Sequence, residues 1–472
     1  MKNYRLYLPL FILAGTQLMS LSASAMNLDE YLLQVKKKNR MLSAAEMSLE
    51  ASRAKQQAGD LTLSPVLTAG YSMASDKSLP NSIADRRQVN ELSLGVAQKY
   101  STGTALSLSA KTDDFKNDQP TTPSMDKYST GTLGVTVQQS LWKDFFGAGT
   151  QLRRDRENAV NRLESMSIDL KKRGILVEAE SAFWDYVVAV EDLKLKKENL
   201  DRARKIESWT VNRLNNGISD RSDLMNAKAL TSVRELELAT AQDELKAEEV
   251  RIRQNLDLES AEPTPEIKAN LVDARPYMND LAQKKSVIKI ESYLTTLEAE
   301  SKKLISSEVL DSLKPDLSLI GSYNTNAYNR ESATMQSHIA DTDRPKTFVG
   351  VNFTWMFDTD AKKAQVAAAQ KDAMASQLAA EKNRLNGQEA WAEQLRKYEV
   401  TKENVKTLEK IAQFQRERAK AEQDKFAKGR TVTANVVTAE TDSAEAEVRY
   451  LKAKSGLRKM EASALLFIST QE

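Results

Sequence analysis

Two stretches of this chain carry almost nothing that can interrupt a helix. Ala148–Asn215 holds 68 residues without a proline and with only Gly149 and Gly174, and Asp360–Lys428 has no proline and the single glycine Gly387. Long charged runs so poor in breakers favour extended helices over an ordinary globular mix. A helix over the first run would be about 100 Å long at 1.5 Å per residue. Each run stops at a lone glycine, Gly217 in "NRLNNGISDRSDLMNAKA" and Gly429 in "DKFAKGRTVTANVVTAET", 212 residues apart. A short polar segment follows each glycine, and then helical texture resumes, to about Leu256 after the first and over Ala434–Ile468 after the second. Glycine permits the left-handed conformation that ends one helix, and Ser219/Asp220 and Thr431/Thr433 are expected to cap the next.

Ahead of each run the texture is different. After a helical pattern from Leu28 to about Asp60, apolar residues alternate with small polar ones in four segments. These are Leu67, Ala69, Tyr71, Met73; Leu92, Leu94, Val96; Leu106, Leu108, Ala110; and Leu133, Val135, Val137, Leu141. Period two predicts four strands. Further on, Asp280–Leu313 reads as helix, and two more alternating segments follow, Leu317, Leu319, Tyr323 and Val349, Val351, Phe353, Trp355, Phe357. The chain therefore reads as one pattern used twice: helix, strands, very long helix, tight turn, helix. Residues 26–256 form the first repeat and 278–472 the second, joined by a connector, 257–277, that holds Pro263, Pro265 and Pro276.

A strand apolar on one face and Ser/Thr/Gly/Asn on the other suits a soluble sandwich or an outer-membrane barrel. Helices this long are foreign to a compact sandwich, which favours the barrel. The N-terminus points the same way. Lys2 and Arg5 precede an apolar core, Leu6–Met19, and Ala23-Ser24-Ala25 reads as a cleavage site, so residues 1–25 are expected to be a signal peptide. Its removal takes the formal net charge from +2 to zero. Downstream, no apolar run approaches the roughly 20 residues of a membrane helix, so membrane entry would require a closed barrel. Six strands leave free edges that lipid does not tolerate, so several chains would share the barrel in a cyclic assembly. The long helices are too charged for lipid and must project into water, packed as coiled coils.

The composition excludes several functions. There is no cysteine, which removes disulfides, thiolate chemistry and lipoprotein acylation, and His338 is the only histidine. Lys+Arg 68 against Asp+Glu 66 leaves no basic field for nucleic acid. The carboxylates are spread at helical spacing without a nucleophile or base beside them, so neither an enzyme, a metal site nor a cofactor is expected. His338 reads as an exposed loop residue between the last two strands.

With these features together, the chain resembles the TolC family of outer-membrane efflux and secretion channels over nearly all of the mature sequence. The ordered duplication carries the resemblance, with the strand exits "QQSLWKDFFGAG" and "FTWMFDTDAKKAQV" and the two glycine turns. The family's exit reads Gln-Pro-Leu-Phe-Asp-Gly-Gly; Gln139, Leu141, Gly147 and Gly149 are similar to it in the first repeat, and Phe357-Asp358 in the second. The resemblance implies a mostly α-helical fold with a β-barrel in the outer membrane, continuous with a trimeric α-helical barrel in the periplasm. It implies a passive exit duct for small molecules or proteins, recruited by an inner-membrane transporter and a periplasmic adaptor (membrane fusion) protein, as in efflux or type I secretion. The first helices, the connector and the C-terminal residues would feed a girdle around the helical barrel.

By the same resemblance, Gly217, Ile218 and Ser219, and Gly429, Arg430 and Thr431, are adaptor-docking tips, Ile218 and Arg430 displaying the side chains. The family's periplasmic constriction falls on Asp223, Asn435 and Thr438. Asp223 matches an acidic position, either holding the tips closed with Arg430 or a neighbouring chain, or serving its own helix N-terminus. Asn435 and Thr438 are uncharged where some family members are acidic, so a ring of carboxylates is not expected. The strand count also departs from the family's four per chain: six in each of three chains would give eighteen. The Val89–Phe115 hairpin either widens the barrel or stands above it. The competing reading is a secreted or periplasmic coiled-coil scaffold or adaptor without a pore.

Overall fold

The computed structural model describes residues 26–78, 83–259, 262–267, 277–357 and 359–470. The expected signal peptide, most of the proline-bearing connector and Asp358 lie outside them. The chain folds as two compact units, each drawn from three separate stretches.

The first unit comprises residues up to Ser43, Ile175–Met278 and Arg396–Leu465. Helix α1 (Leu28–Lys38) begins at a capping box, with the Asn27 side chain accepting from the Glu30 amide and the Glu30 carboxylate accepting from the Asn27 amide. Three lysines close its last turn, where the helix dipole favours them. The sequence predicts a single helix to Asp60, but the chain breaks at the buried Asn39, which has extended backbone, and α2 (Arg40–Ala58) follows. Asn39 donates to the Asn255 carbonyl and accepts from the Leu42 amide, bonds that an uninterrupted helix would forfeit.

Four helices supply the rest of this unit: parts of α3 (Ala148–Asn215) and α8 (Thr359–Ala427), then α4 (Arg221–Asn255) and α9 (Thr433–Ser463). Tyr31, Leu32 and Val35 of α1 pack on Phe183, Trp184 and Val187 of α3, on Ile252 of α4, and on Ile267 from the connector. Tyr31 and Phe183 lie 5.4 Å apart between ring centroids, and Phe183 meets Trp184 edge-on at 5.2 Å. Met26 bonds the Glu266 carbonyl at 2.8 Å, which fixes the connector beside α1.

Charge also joins these helices. The carboxylates of Glu440 and Glu447 on α9 are buried; Arg202 of α3 reaches Glu440 at 2.9 Å, and Arg416 of α8 reaches Glu447 at 2.5 Å. Removing the arginine from such a pair leaves a buried carboxylate without its partner, which disfavours the fold.

The second unit comprises Ala44–Gly174, Asn279–Leu395 and the residues from Leu466 on. Its centre is one antiparallel sheet of β1 (Val66–Asp76), β2 (Arg86–Lys99), β3 (Thr104–Asp118), β4 (Lys127–Ser140), β6 (Asp316–Asn329) and β7 (Lys346–Thr354), in that spatial order. The six predicted strands are all present. The β2–β3 hairpin is paired along most of its length on both sides, so it is part of the sheet and does not stand off it. Its turn is anchored at the strand exit: Lys99 pairs with Asp144 at 2.6 Å, and the Ser101 carbonyl lies where a side chain at Gly147 would have to go.

Three short elements escape sequence reading. Asp280–Leu313, expected to be one helix, divides into α5 (Tyr277–Ala282), β5 (Val287–Lys289) and α6 (Ile290–Ser312). The last helix stops at Ser463, and β8 (Phe467–Ser469) pairs with β5. Helix α7 (Ser332–Ser337) lies between β6 and β7, and His338, just after it, is exposed and bonds Asp341 at 2.7 Å. Among the described residues no helix is long and apolar enough to cross a membrane.

Asp192 lies in a cleft of about 540 Å³ lined by α3, α4 and α9, where Glu237, Glu244 and Glu248 also stand. Burial raises its carboxyl pKa above the usual value, against the opposing pull of Lys196, and Glu244 adds to the rise. A carboxyl raised on folding favours the fold below its unfolded pKa and loses that contribution as pH climbs through the folded value. Asp192→Asn is therefore expected to raise the thermal midpoint at neutral pH. The gain should vanish in acid, near pH 3.8, the ordinary value for the group.

Candidate functional site

Two features stand apart from packing: a pair of matched turns in the first unit and an uncovered face in the second. Helix α3 ends in a Schellman motif. The Gly217 amide bonds the Leu214 carbonyl at 3.0 Å and the Ile218 amide bonds Arg213 at 2.8 Å. Helix α8 ends in the same motif, with the Gly429 amide on Phe426 at 3.0 Å and the Arg430 amide on Lys425 at 2.8 Å. The two glycines have φ of +71° and +72°, as the sequence anticipates, and open space surrounds the position a Cβ would take at each. Glycine is needed there for its backbone alone.

The residue after the glycine in this motif commonly folds back onto an apolar neighbour. Here Ile218 is 63% exposed and Arg430 is also exposed. The turns differ in how the following helix starts. Asp220 caps α4 in a capping box with Asp223, whose carboxylate also accepts from the Ser219 hydroxyl at 2.8 Å. Asp223 thus serves its own helix start. At the second turn Val432 occupies the cap position and offers no side-chain bond. Thr431 and Thr433 therefore do not cap α9: the Thr431 hydroxyl bonds Glu422 at 3.0 Å, and Thr433 is buried as the first helical residue. Asn435 bonds the Thr431 hydroxyl at 3.2 Å, and both Asn435 and Thr438 are exposed on α9.

A contact not anticipated from sequence holds the two turns together. Arg213 lies over the Phe426 ring at 4.7 Å and donates to the carbonyls of Phe426 and Thr431, both at 3.3 Å. Ile206, Leu230 and Val436 pack around Phe426, with Trp209 against it. The available signal was positional: Arg213 stands four residues before the first glycine and Phe426 three before the second.

The six-stranded sheet has one face made of apolar side chains in register. Leu67 is opposite Val96, Val96 opposite Leu108, and Leu108 opposite Val135; Val135 is opposite Tyr323, and Leu319 opposite Val351. These residues are 39 to 72% exposed, so no part of the described chain covers the belt. Between Leu317 and Tyr323 it rises about 20 Å at 3.4 Å per residue. The other face carries Thr68, Ser93, Ser109, Thr136 and Ser322. Below the belt, Trp142, Phe145, Phe146, Trp355 and Phe357 are exposed where β4 and β7 give way to helices. Among the described residues, strands β1 and β7 each have one edge without a strand partner. Among the described residues no cluster of His, Asp or Glu could hold a metal ion.

Neither models of known protein families nor curated sequences match this chain. Solved structures do. The outer-membrane channel OprN is 18% identical, with 93% of this chain and 89% of that one covered at a TM-score of 0.65. The outer membrane protein VceC of Vibrio cholerae is 12% identical over 93% and 95%, with a TM-score of 0.66. The open state of the MtrE outer membrane channel of Neisseria gonorrhoeae is 15% identical over 93% and 88%, with a TM-score of 0.63.

Substituting alanine at Gly217 or Gly429 should cost about 1–2 kcal/mol of stability each, the penalty of a Cβ in left-handed backbone. Chemical denaturation would measure it, with Gly174→Ala as a helical control that does not destabilise. The chain therefore has the fold of these outer-membrane channels, the fold that its resemblance to the TolC family implied.

Proposed function

We propose that this chain is one subunit of a passive exit duct of the TolC type in the outer membrane, built from three copies and extending into the periplasm. The observation that carries this reading is the uncovered apolar belt on a sheet whose opposite face is polar and whose two end strands are unpartnered. Such a sheet is stable in lipid only when its edges close and its polar face meets water. Strand β1 runs away from the helices and β7 towards them, so a copy's β1 meets its neighbour's β7 in antiparallel sense. Three copies of a six-stranded sheet make an eighteen-stranded wall. Apolar side chains left exposed along α4 (Val233, Leu236, Val250) and α8 (Met374, Leu378, Phe414) fit the seams that a helical barrel of several chains requires.

The duct has no chemistry of its own in this reading: cargo is selected and driven by an inner-membrane transporter, joined through a periplasmic adaptor protein. The two turns are its docking points. Gly217, Ile218 and Ser219, with Gly429, Arg430 and Thr431, offer an exposed apolar side chain and an exposed cation on one packed cluster. Asp223, Asn435 and Thr438 line the narrow end beside them.

Light scattering on protein extracted from outer membranes in mild detergent should give the mass of three chains, and planar bilayers should register discrete conductance steps. A monomer, or a protein never recovered from that membrane, would leave a coiled-coil scaffold as the better account. The docking role has its own test. Ile218→Asp should lower export at least tenfold with trimer level and bilayer conductance unchanged; undiminished export would remove the first turn from the interface.

A further inference from the structure

A cleft in the second unit lies between the end of α6 and the first turns of α8. It measures about 410 Å³ and is lined by Leu310, Leu313, Lys314, Lys362, Lys363 and Val366, with Ala367 and Gln370. The lining has three lysines, no carboxylate, and an aliphatic floor. Asp311 behind it is buried and already committed, paired with Lys314 at 2.7 Å and accepting from the Asp144 amide at 3.1 Å. Lys362 closes the first turn of a 69-residue helix and Lys363 opens the second; the helix dipole adds to their positive field, and Asp360 of the first turn is not part of the cleft lining.

The position of the cleft says what such a field is for. Lys362 lies over the Trp355 ring at 5.7 Å, which puts the cleft beside the exposed aromatic side chains where β7 ends. The belt on β7 descends through Val349, Val351 and Phe353 to the exposed Trp355, Met356 and Phe357. Aromatic side chains of this kind collect at the headgroup level of a bilayer, and lysines just beyond them meet phosphate. Leu310, exposed beside the lysines, extends the apolar surface into the cleft. A site that joins aliphatic floor to clustered ammonium groups matches an amphiphile with an anionic head, whereas a free anion would leave the floor unused.

We propose that this cleft binds an anionic glycerophospholipid of the leaflet at the helix side of the sheet, its phosphate on Lys362 and Lys363 and an acyl chain against Leu310, Leu313 and Val366. The site rests on the membrane reading above. It would fix the height of each chain in the bilayer through a specific lipid, beyond what the apolar belt does unaided.

Native mass spectrometry of the full chain, purified in mild detergent and supplied with dioleoyl phosphatidylglycerol, tests this directly. The chain should retain that lipid in preference to dioleoyl phosphatidylcholine, and equimolar inorganic phosphate should not displace it. The double variant Lys362→Gln, Lys363→Gln should retain it roughly 10- to 30-fold less, on the scale of two lysines at an anionic surface. The double arginine variant should restore retention, and Lys382→Gln, outside the cleft, should leave it unchanged. Equal retention of both lipids, equal retention by the glutamine variant, or displacement by phosphate would each overturn the site. Lost selectivity in a protein that still resides in the outer membrane sinks the cleft alone. Intact selectivity in a protein absent from that membrane sinks the duct alone.

Discussion

The sheet in this chain is governed by its backbone. Two end strands present rows of amide and carbonyl groups with no strand opposite them among the described residues, in the sheet where Leu67, Val135 and Val351 stand uncovered. In water the side chains are the liability, and in hydrocarbon the unpaired edges are. A closed sheet with lipid outside answers both. The β2–β3 hairpin raises the stakes, because its pairing on both sides adds two strands to the wall of every copy. Barrel diameter grows roughly in proportion to strand number, so this hairpin sets how wide such a wall can be.

What could be read from sequence was what repeats over many residues. Alternation across six segments and an unbroken helical texture over Ala148–Asn215 survive the loss of any single position, and the strands and long helices fall where those patterns lie. Lone glycines before polar runs marked both turns because the left-handed residue has few substitutes. Features that depended on one distant partner were invisible. Asn39 breaks the first helix because its amide has a carbonyl waiting at Asn255, 216 residues on. β5 and β8 are three residues each, too short to show a period, and meet across about 180 positions.

The turn chemistry divides in the same way. Gly217 and Gly429 were legible because each acts on its own backbone. The cap of α9 was misread because threonine on either side of Val432 looks like a cap in sequence, while in the fold Thr431 is drawn to Glu422 and Thr433 is buried. The Arg213 contact joins residues from different helices and leaves no local trace beyond the nearness of each residue to its glycine.

That contact changes what the two turns are. Each alone would be a loop end, free to swing on its own helix pair. With Arg213 seated on Phe426 and bonded to the Thr431 carbonyl, the turns present their exposed side chains as a single rigid object. A ligand that engages one turn finds the second already at hand, at a high effective concentration and without a fresh entropic cost. Under the proposed docking role, two feeble contacts on one chain would act as a bivalent grip, and three such chains around an axis would multiply it again.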